Sequence, residues 1–131
     1  LSRSLEDLHP KVREQAEKWL AATKKAGLDI LVTCTYRSPE EQQELYDIGR
    51  TKPGKIVTNA QPGQSLHQHR LALDFVPLRN GKPVWGTQGT DLELWTKAGE
   101  LAEAFGFEWA GRWKRFREFP HIQIKDPEGI K

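Results

Sequence analysis

The chain has 131 residues, 37% of them hydrophobic and 29% charged, which allows one domain around one modest core. No apolar run is long enough to cross a membrane, and a net charge of +2 makes no electrostatic case for a nucleic-acid partner. One cysteine, Cys34, excludes an internal disulfide and any cysteine-based zinc cluster.

The first predicted helix runs from Pro10 to Ala26, with Val12, Ala16, Trp19, Leu20 and Thr23 at helical spacing, Pro10 in its first turn and Gly27 as its stop. No amphipathic signal segment precedes it; the chain begins at Leu1 rather than Met, and the sequence leaves export open. Leu28 to Thr35 reads as a short apolar strand in which Cys34 is a buried small hydrophobe. Ser38-Pro39-Glu40-Glu41 is a capping box that opens a helix to about Ile48, ended by Gly49. Arg50 to Gln64, with Pro53, Gly54, Pro62 and Gly63, is a loop. Leu71 to Leu78 alternates as a strand, and Asn80-Gly81 signals a hairpin into Pro83-Val84-Trp85. Asp91 to Phe105 is a second amphipathic helix, stopped by Gly106, and a short strand covers His121 to Ile124. With no repeat and no interdomain linker, this order predicts a single α+β domain over residues 1–131, with a small antiparallel sheet and flanking helices.

Two segments could carry chemistry. In the first, Leu71, Leu73 and Phe75 take one face of a strand, so Asp74 takes the other among small or apolar neighbours, where a carboxylate needs a partner. His67 reaches the same place if the chain bends near Arg70. In the second, Ile122 and Ile124 face the core and turn His121 and Gln123 outward. Two histidines and a carboxylate are a catalytic zinc set that leaves one position open, and zinc both acidifies water and polarises a carbonyl. Glu118, three residues before His121, is the nearest carboxylate able to move the proton. Each residue also has an ordinary reading: a satisfied strand-end histidine, a turn-capping aspartate, a solvated glutamate. Nothing local forces the two segments together.

These residues resemble the D-Ala-D-Ala carboxypeptidase/VanY/VanX-like zinc peptidases (peptidase family M15), above all the phage endolysin subgroup that cleaves L-alanyl-D-glutamate bonds. Thr35-Tyr36-Arg37-Ser38 with Gln42 is similar to the family's Y-R-S/T…Q element. Ser65-x-His67 with Ala72-x-Asp74 is similar to S-x-H-x-x-G-x-A-x-D, and Glu118-x-Pro120-His121 to the final E/D-x-x-H. Phe105 to Trp109 is similar to the G-F-x-W approach before it. The resemblance implies a Hedgehog/DD-peptidase-like fold with Zn2+ held by His67, Asp74 and His121, and Glu118 as catalytic base. It further implies that Arg37 polarises the scissile carbonyl, with Ser65, Gln42 and Trp109 supporting or contacting substrate.

The implied substrate is the peptidoglycan stem peptide, cut between L-Ala and D-Glu as in endolysins or at a terminal D-Ala as in carboxypeptidases of the same family. The protein is expected to be a monomer acting at the bacterial cell wall or periplasm, held in the cytoplasm until lysis if it comes from a phage. Two departures stand out. Arg70 replaces a family glycine, which implies ordinary backbone there, and Ala110 replaces another. His69, beside the metal segment, is expected to be exposed or to support a ligand. The run Arg112-Trp113-Lys114-Arg115-Phe116-Arg117 has the basic-aromatic pattern of a nucleic-acid binding module; as plain structure it is a turn with Trp113 and Phe116 packed inward, and in an enzyme it lines a cleft wall.

Overall fold

The first helix, α1 (Pro10–Lys25), starts where His9 turns its ring back to accept from the Lys11 backbone N–H, and buries Val12, Ala16, Trp19 and Thr23 along one stripe. These elements belong to a computed structural model that describes residues 1–130. Strand β1 (Asp29–Cys34) follows, then α2 (Pro39–Asp47), whose capping box has both of its reciprocal bonds between Ser38 and Glu41. Strand β2 (Ala72–Arg79) turns through Asn80 and Gly81, both at positive φ, into β3 (Lys82–Pro83). Helix α3 (Thr90–Ala104), β4 (Phe107–Trp109) and β5 (His121–Ile124) complete the regular structure.

The sheet is antiparallel in the order β1-β2-β5-β4, with β3 paired to the end of β2. Strand β4 was not anticipated: its three residues are too few to show a period. Pairing of Phe107 with Ile124 and Trp109 with Ile122 is what makes them a strand. The expected hairpin strand through Trp85 is also shorter. Val84 still donates to the Pro77 carbonyl (2.9 Å), after which Trp85 peels away, 59% exposed.

Helices α1 and α3 cover one face of the sheet. Trp19, Phe75, Trp95 and Phe107 form a connected ring cluster there, with Trp19–Phe75 centroids 5.1 Å apart and edge-to-face. The Trp19 indole N–H donates to the Ala98 carbonyl (2.9 Å), joining the two helices through a satisfied polar contact. Trp109 lies flat in a slot that exists because Gly99 and Gly111 lack side chains: a Cβ on either would stand 2.2 Å from its ring.

Two expectations fail here for local reasons. Arg70 does adopt a left-handed backbone, φ 64°, as the glycine it replaces would. Its side chain offsets the strain: the guanidinium donates to the Asp7 carbonyl (2.8 Å) and lies over the Tyr36 ring (4.1 Å). Phe116 does not pack inward; it is 64% exposed at φ 53°.

Candidate active site

The face of the sheet away from α1 and α3 forms the floor of a cleft of about 950 Å³. Register sets its centre. Asp74 pairs with His121 across β2 and β5, and the flanking bonds Phe75 N–H to Pro120 O and Ile124 N–H to Leu71 O make Asp74–His121 a non-hydrogen-bonded pair, whose side chains sit closest. His121 Nδ1 and His67 Nε2 each lie 3.1 Å from the same oxygen, Asp74 Oδ1. His67 arrives from the turn before β2, where Ser65 Oγ accepts its backbone N–H (3.2 Å) and Leu71 N–H closes the bend onto the Leu66 carbonyl (3.0 Å).

Arg37, just after β1, sends Nη2 to 3.6 Å from Asp74 Oδ2 and Nη1 to Gln42 Oε1 (2.9 Å). Gln42 is fully buried; its amide donates to the Ala60 carbonyl (2.7 Å), so α2 and the following loop together hold the guanidinium. Glu118 reaches the opposite side, Oε2 3.9 Å from His121 Nδ1, with 43% of its side chain open to solvent. The cleft wall beyond it includes Trp113, Phe116 and Arg117, the segment anticipated as a wall.

Electrostatics follow from this packing. Burial works against charge on His67, but hydrogen bonds to Asp74 and Cys34 outweigh it and hold the imidazole up at about 10. Burial likewise works against Asp74, yet bonds from His121 and His67 keep it well below the usual carboxylate range. For Glu118, burial pushes the carboxyl up, against the pull of His121.

Cys34 is buried, as expected, but it lies on the cleft side of the sheet. Its Sγ lies 3.7 Å from His67 Nδ1, and the potential ligand atoms of Cys34, His67 and Asp74 fall within 4.8 Å of one another. The cause is a β-bulge between Val32 and Cys34, which pairs Cys34 with Asp74 and turns it from the helix side to the cleft side. Two facts set it apart from a ligand. His67 Nδ1 is 3.2 Å from the Thr35 carbonyl, which can only accept, so that nitrogen carries a proton and leaves Nε2 to face Asp74. The thiol also has the Arg37 guanidinium at 3.7 Å, a cation where a metal would have to approach.

The structure thus brings His67, Asp74, His121, Arg37, Glu118 and Ser65 to one cleft, with Gln42 behind Arg37. It does not bring Trp109 there: that side chain is 3% exposed and its indole N–H is used on the Phe119 carbonyl (2.9 Å). His69 is exposed and bonds the Gly63 carbonyl (3.1 Å). Trp85 also lines the cleft. Only Asn80-Gly81 hinted at the turn that delivers Trp85.

The fold is that of the VanY/DD-peptidase structures. It superimposes on the Serratia marcescens L-Ala D-Glu endopeptidase ChiX with a TM-score of 0.74 at 20% identity, covering 99% of this chain and 92% of that one. It also matches a mutant of the vancomycin resistance D,D-pentapeptidase VanY in complex with Zn(II), TM-score 0.64 at 20% identity over 89% of this chain and 72% of that one. The chain belongs to the VanY family, described as D-alanyl-D-alanine carboxypeptidase, whose model matches residues 5–118. Among curated relatives, the peptidoglycan L-alanyl-D-glutamate endopeptidase CwlK of Bacillus subtilis (strain 168) is 42% identical over 124 residues, 90% of this chain and 74% of the relative. The L-alanyl-D-glutamate peptidase of Listeria phage A118 is 32% identical over 127 residues, 94% of this chain and 41% of the relative.

Proposed function

We propose that this chain is a zinc peptidase that hydrolyses the L-Ala–D-Glu bond of the peptidoglycan stem peptide and therefore acts at the bacterial cell wall. The observation that carries the reading is the Asp74–His121 pair with His67 on the same carboxylate oxygen, in a chain 42% identical to an L-alanyl-D-glutamate endopeptidase. His67 through Nε2, Asp74 through Oδ1 and His121 through Nδ1 are the atoms that would hold the ion. The donor set fits: two imidazole nitrogens and a carboxylate are a zinc set with one position left open. Zinc bound there supplies Lewis acidity toward water and toward the scissile carbonyl.

The protein's own groups do the rest. Glu118 accepts a proton from the attacking water and returns it to the leaving amine; its partly exposed, partly shielded carboxylate suits both transfers. Arg37 offers N–H donors to the carbonyl oxygen as charge develops on it, and Gln42 keeps the guanidinium from swinging away. Ser65 holds the backbone of His67 and lines the cleft. Trp113 and Phe116 give the acyl or amine side of the substrate an apolar wall.

The test is mass spectrometry of L-Ala-γ-D-Glu-diaminopimelate-D-Ala-D-Ala incubated with the protein, with and without chelator. Release of free L-Ala, stopped by chelator and restored by zinc, is the expected result. Release of D-Ala keeps the chemistry and replaces the bond with that of a carboxypeptidase. No cleavage by zinc-loaded protein overturns the reading in favour of a wall-binding module.

A further inference from the structure

We propose that Glu108 and Gln123 are positioning residues that fix the ring of His121 and which nitrogen it offers to the ion; this rests on the zinc reading above. Neither residue belongs to the ligand, base or guanidinium group already described.

The starting point is what each atom can do. A carboxylate only accepts hydrogen bonds. Glu108 Oε2 lies 3.3 Å from Gln123 Nε2 and Oε1 lies 3.2 Å from the Trp113 indole N–H, so both oxygens are satisfied by donors. That orients the Gln123 amide: its NH2 points at Glu108 and its Oε1 points the other way, 2.9 Å from His121 Nε2. The reversed amide would set oxygen against carboxylate. Gln123 Oε1 therefore accepts from a protonated Nε2, which leaves Nδ1 as the nitrogen able to offer a lone pair to an ion.

Nδ1 is the atom 3.1 Å from Asp74 Oδ1. The relay thus turns Nδ1 toward the carboxylate oxygen on which His67 Nε2 also converges. Its rigidity comes from the sheet. Glu108 pairs with Gln123 across β4 and β5, and Gln123 pairs with Ala72 across β5 and β2, a small neighbour that leaves the amide room. The Trp113 ring packs against His121 (5.8 Å between centroids) while its N–H anchors Glu108, so one side chain braces both ends of the relay. Orienting groups of this kind typically account for about 10- to 100-fold in metal affinity.

The experiment is a zinc-affinity series by competition with a chromogenic chelator on the full chain, using wild type, Q123M, E108A and the E108A/Q123M double variant. Nitrogen-15 NMR of the His121 ring accompanies it. Q123M should weaken zinc about 10- to 100-fold, E108A should weaken it by a smaller factor, and the double variant should match Q123M alone, because Glu108 acts only through Gln123. In wild type the ring should show a protonated Nε2. Zinc uptake and peptide cleavage by wild type with unchanged affinity in both single variants would overturn the relay and leave the peptidase standing. Fully additive losses in the double variant would also overturn it, by showing that Glu108 acts as a general negative charge. Wild type that takes up no zinc would overturn the peptidase reading first. Glu108 is exposed, so E108A gives an answer even if Q123M fails to fold.

Discussion

The two faces of the sheet are built from the same strands by opposite rules. On the helix side Leu73, Phe75, Ile122 and Phe107 are buried apolar side chains, and Trp19 and Trp95 add indoles. On the cleft side the residues one position along, Asp74, His121 and Gln123, are polar and joined by hydrogen bonds. The lesson is that a period of two lets a single short strand serve stability and chemistry at once, with little cross-talk between neighbouring residues.

That separation can be broken by mutation. The largest effect should come from Asp74→Ala, which removes the oxygen shared by both histidines: zinc uptake and turnover should both be lost, checked by metal analysis and the peptide assay. Retained zinc would show that the faces do not divide the labour as described. Glu118→Gln comes next. Turnover should fall about 10²- to 10⁴-fold with zinc still bound and thermal stability unchanged. Because burial raises the Glu118 carboxyl, the acidic limb of kcat/KM should lie above the range of a free glutamate and should vanish in the variant.

On the opposite face, Trp19→Ala should cost about 3–5 kcal/mol in denaturant unfolding while zinc affinity of the folded protein stays the same. A fall in affinity would mean that the faces are coupled. A pH experiment sharpens the same contrast in metal-free protein. The His67 imidazole is raised from 6.5 to about 10 in the folded state, so its stabilising contribution is full below about 6.5 and disappears as pH rises through about 10. Unfolding midpoints at pH 6 and 10.5 should therefore converge between wild type and His67→Gln at the higher pH. The smallest effect concerns Arg70, at the edge between the faces. Arg70→Gly should be more stable than Arg70→Ala by about 1 kcal/mol, since both lose the Asp7 and Tyr36 contacts but only glycine relieves φ 64°.

Much of this arrangement was legible in the residues. Alternation in 71–76 and 121–124 put Asp74 and His121 on the correct side of their strands, and the capping box at Ser38 located α2. What joins the two strands was not legible, because antiparallel register between segments 47 residues apart is fixed by tertiary packing. The motif resemblance supplied that link, and the pairing of Asp74 with His121 supplies its physical form. That Cys34 is buried was legible, but its place beside His67 was not, because a bulge has no signature in an apolar run. Nothing local marks Trp109 as buried, because the slot between Gly99 and Gly111 depends on residues far apart in sequence. The Arg70 backbone departs from expectation because glycine is a preference at positive φ and side-chain contacts can compensate for it.

The bulge in β1 has a consequence for how this chain can vary in length. The segment from Arg50 to Gln64 holds no helix or strand, so residues could be added there with only a modest entropic cost. One residue added beyond the bulge, between Cys34 and Thr35, would have a different effect. Every following residue would shift by one place, and the carbonyl that fixes the His67 tautomer would no longer belong to Thr35. The end of β1 is therefore a counting device for the site. Relatives with gaps or insertions across residues 32–35 should prove much rarer than relatives with altered loops, although no side chain in that stretch touches a substrate.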